Sequence, residues 1–131
     1  MQTNSRVIVC VDDDPLILQM LSFQLGKNLD EEENIVECFD HPETVVEELK
    51  SIFPEAPKDI VLVSDYQMPG MNGGELVKQF KEAFPSSRCI MISGQANEYV
   101  VKDLLDNGIL EKFIFKPWNE NELMKTINSA N

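Results

Sequence analysis

Short runs rich in Val and Ile alternate with longer amphipathic stretches along this chain, and that alternation leaves few folds open. Five runs read as strands: Arg6 to Val11, Asn34 to Phe39, Asp59 to Ser64, Arg88 to Ile92 and Glu111 to Phe115. Several are apolar nearly throughout, as suits strands covered by helices on both faces. Repeated βα units of this kind predict an α/β fold around a mostly parallel sheet.

The intervening stretches carry helix signals. Asp14 before Pro15 predicts an N-cap with Pro at the first helical position, and Leu18, Leu21 and Leu25 recur at helical spacing until Gly26 weakens the run. Asp40 with Glu43, Asn72 with Glu75, and Asn119 with Glu122 predict the starts of helices two, three and five. Each places a capping side chain three residues before an acid that can reach back to it. The fourth helix, about Ala96 to Asp106, has the weakest start signal and ends before Gly108, a C-cap candidate. No repeat, low-complexity tract or linker interrupts the chain, so residues 1–131 read as one domain. Either a complete single-domain protein or a domain excised from a longer one fits that reading.

Size and charge exclude several classes of function. A chain of 131 residues, 43% of them hydrophobic, can bury roughly two thirds of the surface it exposes when unfolded, so no metal or disulfide staple is needed. The net charge of −12, from 23 acidic and 11 basic residues, argues against nucleic acid or an anionic membrane as a partner, since both are bound by clustered Lys and Arg. No run approaches the ~18 apolar residues of a membrane span. Met1 to Arg6 is polar with no signal-peptide stretch behind it, so a cytoplasmic location is expected. Cys10, Cys38 and Cys89 sit in apolar runs and are expected to be buried, reduced thiols. Asp30 to Glu33 reads as a solvated loop, and the lone His41, in the first turn of helix two, as a surface residue.

The chemistry concentrates at the C-terminal ends of the strands, the edge where open α/β sheets place their sites. Asp12, Asp13 and Asp14 follow strand one, Asp65 follows strand three, Ser93 strand four and Lys116 strand five. If strands one and three are neighbours, Asp12, Asp13 and Asp65 converge. Like charges about 4 Å apart repel by roughly 4 kcal/mol at an effective dielectric near 20, so the cluster calls for a cation. Mg²⁺ suits a site with few carboxylates that keeps several waters. Lys116 adds a point charge for an anionic oxygen, and Ser93 a hydroxyl donor to the same group. A carboxylate so placed is equipped to attack phosphorus, with Asp65 becoming an acyl phosphate. Taken singly, the three-Asp run would also serve as a helix cap with dipole partners, and Asp65 as a turn residue before Pro69-Gly70.

The segments VIVCVDDDP, VLVSDYQMPGMNGGEL, MISG and FIFKPW resemble, in type, order and spacing, the signature segments of response-regulator receiver domains of two-component phosphorelay signalling. The resemblance implies the doubly wound, flavodoxin-like (βα)5 fold, a five-stranded parallel sheet in the order 2-1-3-4-5. It implies Asp65 as phosphoacceptor and Mg²⁺ held by Asp12, Asp13, Asp65 and the backbone carbonyl of Gln67, with Asp14 a helix cap. Ser93 and Lys116 stand where the family has its Ser or Thr and its Lys, before a cis bond to Pro117. Ser93 and Phe113 stand at the switch positions. Phe113 lacks the hydroxyl of the more familiar Tyr, and ordinary core packing is an equal account of it. Gln67 and Gln95 occupy positions that in similar proteins modulate loss of the phosphoryl group.

The implied function is a phospho-accepting switch that receives its phosphoryl group from a sensor histidine kinase or a histidine phosphotransfer protein. It would then alter its helix 4, strand 5 and helix 5 surface to control an output domain or partner, with a phosphorylation-dependent dimer as one outcome. Lys116-Pro117-Trp118 with Gly94-Gln95-Ala96 resembles receivers joined to cyclic-dinucleotide phosphodiesterase or cyclase outputs. Two other readings compete. A receiver-shaped adaptor would usually lack one of the acids, the hydroxyl or the Lys, and this chain keeps all of them. A phosphohydrolase using an aspartyl phosphate would want a second acid where Gln67 stands.

Overall fold

The computed structural model describes residues 4–129. Strands β1 (Arg6–Val11), β2 (Asn34–Phe39), β3 (Ile60–Ser64), β4 (Arg88–Ser93) and β5 (Lys112–Phe115) alternate with helices α1 (Pro15–Asn28), α2 (Val45–Ile52), α3 (Gly73–Ala83), α4 (Glu98–Asp106) and α5 (Glu120–Asn128). All five strands pair in parallel, in the order β2-β1-β3-β4-β5, the receiver topology expected from the sequence. No helix among the described residues is long and apolar enough to cross a membrane.

Strand alternation divides the core in two. Val7, Val9, Ile60, Leu62 and Met91 point to one face and pack with Leu49, Leu76, Phe80 and Leu104 of α2, α3 and α4. Ile8, Val61, Val63, Ile90 and Ile114 point to the other and meet Leu21 and Leu25 of α1 and Leu123 and Ile127 of α5. Both faces are covered, which explains why β1, β3 and β4 carry almost unbroken apolar runs.

Four helix starts follow capping chemistry. The Asp14 side chain accepts from the Leu16 N–H at 2.9 Å, Asn72 from Glu75 at 2.9 Å and Asn119 from Glu122 at 3.0 Å. The α4 start is stronger than expected, because the Asn97 side chain accepts from both Tyr99 and Val100. Its end is a Schellman motif: Gly108, at φ +71, donates to Leu105 and Ile109 to Leu104, a left-handed turn that glycine makes without steric cost.

Three expectations need correction. Helix α2 starts at Val45 after Thr44, without a side-chain cap, and Asp40 lies outside it with its carboxylate bonded to the His41 ring at 2.8 Å. His41 therefore precedes the helix, bonding onward to Thr44 and Glu48. Gly26 does not weaken α1, which runs on to Asn28; its exposed position has open space around it. Cys38 is exposed, since β2 is an edge strand, whereas Cys10 and Cys89 are buried.

At the N-terminal edge of the sheet two arginines hold the end of α5. Arg6 and Arg88 both donate to the Ile127 carbonyl, Arg88 also to Thr126, and the Arg88 guanidinium forks onto Glu111 with both bonds at 2.8 Å. Cations belong at a helix C-terminus, where carbonyls lack intrahelical partners. This edge is devoted to closure, leaving the opposite edge for chemistry. Phe80→Ala, at a fully buried position, is expected to lower unfolding free energy by about 3–5 kcal/mol, and Asn72→Ala by about 1 kcal/mol. Urea titration of both variants checks the order and the sizes.

Candidate functional site

The order β2-β1-β3 makes β1 and β3 neighbours, with Val11 paired to Ser64, so the residues just past each strand arrive side by side. Asp12 and Asp65 are both buried, at 2% and 8% exposure, while Asp13 is open to solvent. One carboxylate oxygen of each lies within 4.8 Å of the others. From β5, Lys116 reaches Asp12 Oδ2 at 2.9 Å and Asp65 Oδ2 at 3.3 Å. Its bond to Pro117 is cis.

Backbone amides fix the remaining carboxylate oxygens. Asp14 N–H donates to Asp12 Oδ1 at 2.9 Å, and Tyr66 N–H to Asp65 Oδ1 at 2.7 Å. Both acids are thus held by local turns as well as by Lys116. Burial raises the Asp12 carboxyl above its ordinary value, with the Asp65 charge adding to the rise, against the hydrogen bonds from Lys116 and Asp14. For Lys116 burial works downward, but the hydrogen bond to Asp12 and the charges of Asp12 and Asp65 outweigh it and leave the ammonium above its ordinary value. One ammonium serves two buried acids with a third, Asp13, close by, and the imbalance shows in the raised Asp12 carboxyl.

Hard oxygen donors in this number and spacing fit a divalent cation such as Mg²⁺. Gln67 lies two residues past Asp65 and, with Asp13, Tyr66 and Pro69, lines a shallow cavity beside the acids. Ser93 is at the same sheet edge but is not drawn into the cluster. Its hydroxyl donates to the Gln95 carbonyl at 2.8 Å and accepts from the Gln95 N–H at 3.3 Å. Phe113 is half-buried, stacked edge-on against Phe115 with centroids 4.8 Å apart. The two rings line a groove of about 360 Å³ with Ala96, Val101 and Leu105.

One positioning residue was not legible as such in the sequence. A Cβ on Gly73 would fall 2.1 Å from the Asp65 carbonyl oxygen, and the Gly73 N–H donates to the Tyr66 carbonyl at 2.7 Å. Glycine at the start of α3 is what lets the Asp65 turn lie against the helix. The glycine pair after Asn72 is visible in the chain, but a close approach of backbone to backbone is a tertiary fact.

The profile of the response regulator receiver domain matches residues 8–128. The chemotaxis protein CheY of Bacillus subtilis is 28% identical over 123 residues, covering 94% of this chain and 95% of its own length. Hybrid signal transduction histidine kinase D of Dictyostelium discoideum is 27% identical over 126 residues, 95% of this chain. The chain spans only about 7% of that kinase's length. Among solved structures, a CheY-like receiver domain protein of Methanospirillum hungatei superposes with a TM-score of 0.77 at 25% identity, covering 94% of this chain and 90% of its own.

The electrostatics yield a pH test. Asp12 binds its proton more tightly folded than unfolded, so its contribution to stability is present at low pH and is lost as pH rises from the ordinary carboxylate value through the raised one. In metal-free buffer Asp12→Asn is expected to remove that loss and so to flatten the fall in stability between acid and neutral pH. Thermal unfolding from pH 3 to pH 7 reads it; a variant with an unchanged pH profile contradicts the assignment.

Proposed function

This chain belongs to the response regulator receiver domain family, and on that premise we propose that Asp65 accepts a phosphoryl group and converts the domain between two signalling states. The observation that carries the reading is the convergence of Asp12, Asp13 and Asp65 on one spot beside Lys116. The donor is the phosphohistidine of a sensor histidine kinase or of a histidine phosphotransfer protein.

An Asp65 carboxylate oxygen attacks phosphorus, the P–N bond to the donor imidazole breaks, and an acyl phosphate forms. The Tyr66 N–H keeps Oδ1 in place while Oδ2 faces Lys116. Lys116, already poised 3.3 Å from Asp65, pairs with a phosphoryl oxygen as charge moves onto it. Asp12, Asp13, Asp65 and the backbone carbonyl of Gln67 would hold Mg²⁺, which supplies neutralising charge for the transferring phosphoryl oxygens. The chain acts on itself and turns over no substrate, since Gln67 stands where an aspartyl-phosphate hydrolase needs its second acid.

Ser93 converts the charge change into movement. A phosphoryl group brings about −2 charge and three strong acceptor oxygens, and the Ser93 hydroxyl leaves the Gln95 carbonyl to donate to one of them. The loop that starts α4 follows, and Phe113 turns inward on the space released. Without a phenolic hydroxyl this step is steric. The altered α4, β5 and α5 surface then controls an output domain or partner, or pairs with a second copy. The Lys116-Pro117-Trp118 and Gly94-Gln95-Ala96 segments favour a cyclic-dinucleotide phosphodiesterase or cyclase as that output, in a cytoplasmic protein of which residues 1–131 form one receiver domain.

With acetyl phosphate and Mg²⁺, the protein is expected to gain the mass of one phosphoryl group; Asp65→Asn should gain none, and added chelator should suppress the gain at least tenfold. An equal gain in Asp65→Asn sinks the proposal. Phe113→Ala is expected to accept the group normally while the shifts of α4, β5 and α5 amide signals on adding beryllofluoride shrink by half or more.

A further inference from the structure

Parallel pairing of β1 with β2 places Cys10 and Cys38 opposite one another in register. Partners in register on neighbouring parallel strands direct their side chains to the same face, here the α1 and α5 face on which Cys10 packs. The two side chains are near enough for each thiol to shift the proton affinity of the other. Neighbouring strands lie about 4.8 Å apart, inside the span of about 4.4–6.8 Å that a disulfide tolerates between α-carbons.

Their surroundings differ in a way that separates two roles. Cys10 is fully buried, whereas Cys38, next to the end of an edge strand, is open to solvent. The neighbouring Cys10 thiol holds the Cys38 thiol below its ordinary value, and thiolate is the nucleophilic form of cysteine. Cys89 differs on each count. It is buried on the opposite face of the sheet, and burial pushes its thiol up to about 11.

We infer that Cys38 and Cys10 form a peroxide-responsive thiol pair, with Cys38 the residue attacked from solvent and Cys10 the residue that closes the disulfide. In the first step the Cys38 sulfur attacks one oxygen of hydrogen peroxide. The O–O bond breaks, the departing hydroxide takes the proton given up by the Cys38 thiol and leaves as water, and Cys38 becomes a sulfenic acid. In the second the Cys10 sulfur attacks the Cys38 sulfur and the S–O bond breaks. The departing hydroxide takes the Cys10 proton to leave as water. Two thiols and one peroxide thus give one disulfide and two waters, with two electrons passing to the peroxide. Because Cys38 leaves one side of the bond accessible, a dithiol such as dithiothreitol reverses it.

The test is peptide mapping of the native protein after brief exposure to hydrogen peroxide and alkylation of the remaining thiols. The expected result is loss of the mass of two hydrogens, a linked pair of peptides carrying Cys10 and Cys38, full reversal by dithiothreitol, and Cys89 still reduced. Cys38→Ser should abolish oxidation of Cys10, and Cys89→Ser should leave the linkage unchanged. Over-oxidation of Cys38 with Cys10 still free, or Cys38 linked between two chains, would overturn the inference. So would a Cys10 to Cys38 linkage that forms only in denaturant.

Discussion

A single ammonium stands between two buried carboxylates, and the working edge of this molecule is organised around that imbalance. Lys116 bonds Asp12 at 2.9 Å and lies 3.3 Å from Asp65, with Asp13 a few ångströms away at the surface. Removing charge from water is costly unless each oxygen is paired. Both buried acids meet that condition through backbone amides as well as Lys116. What remains is excess negative charge, a cost to the resting fold that a divalent cation would offset.

The rest of the architecture keeps that arrangement at one edge. Parallel strands all end on the same side, so residues far apart in the chain emerge together, and Val11 beside Ser64 brings Asp12 next to Asp65. The opposite edge is closed by Arg6 and Arg88 on the last carbonyls of α5. Ser93 sits at the junction between site and surface. Its bonds to Gln95 tie the sheet edge to the segment leading into α4, and the groove bounded by Phe113 and Phe115 lies alongside. Movement of one hydroxyl is therefore well placed to be felt at an exposed face.

Much of this was written locally. Unbroken apolar runs gave the strands, because a sheet covered on both faces has no wet side to alternate toward. Asp14, Asn72 and Asn119 cap their helices as their spacing to the following residues implies. The local rule failed at Asp40, whose carboxylate bonds the adjacent imidazole while the helix begins only after Thr44. It undersold Asn97, which caps α4 with two bonds although no acid follows three residues later. It also misplaced Cys38, since an apolar run does not reveal that its strand lies at a sheet edge.

The sequence by itself determined the five βα units, the family and the residue types gathered at the strand ends, because periodicity, caps and short motifs are properties of neighbouring residues. Tertiary structure decided which oxygens Lys116 meets, that Ser93 is engaged by Gln95, that only glycine fits at Gly73 and that Cys10 faces Cys38. Each of these is a distance of a few ångströms between parts of the chain joined through a helix, a strand pairing or a turn, and no pattern along the chain encodes such a distance until packing closes it.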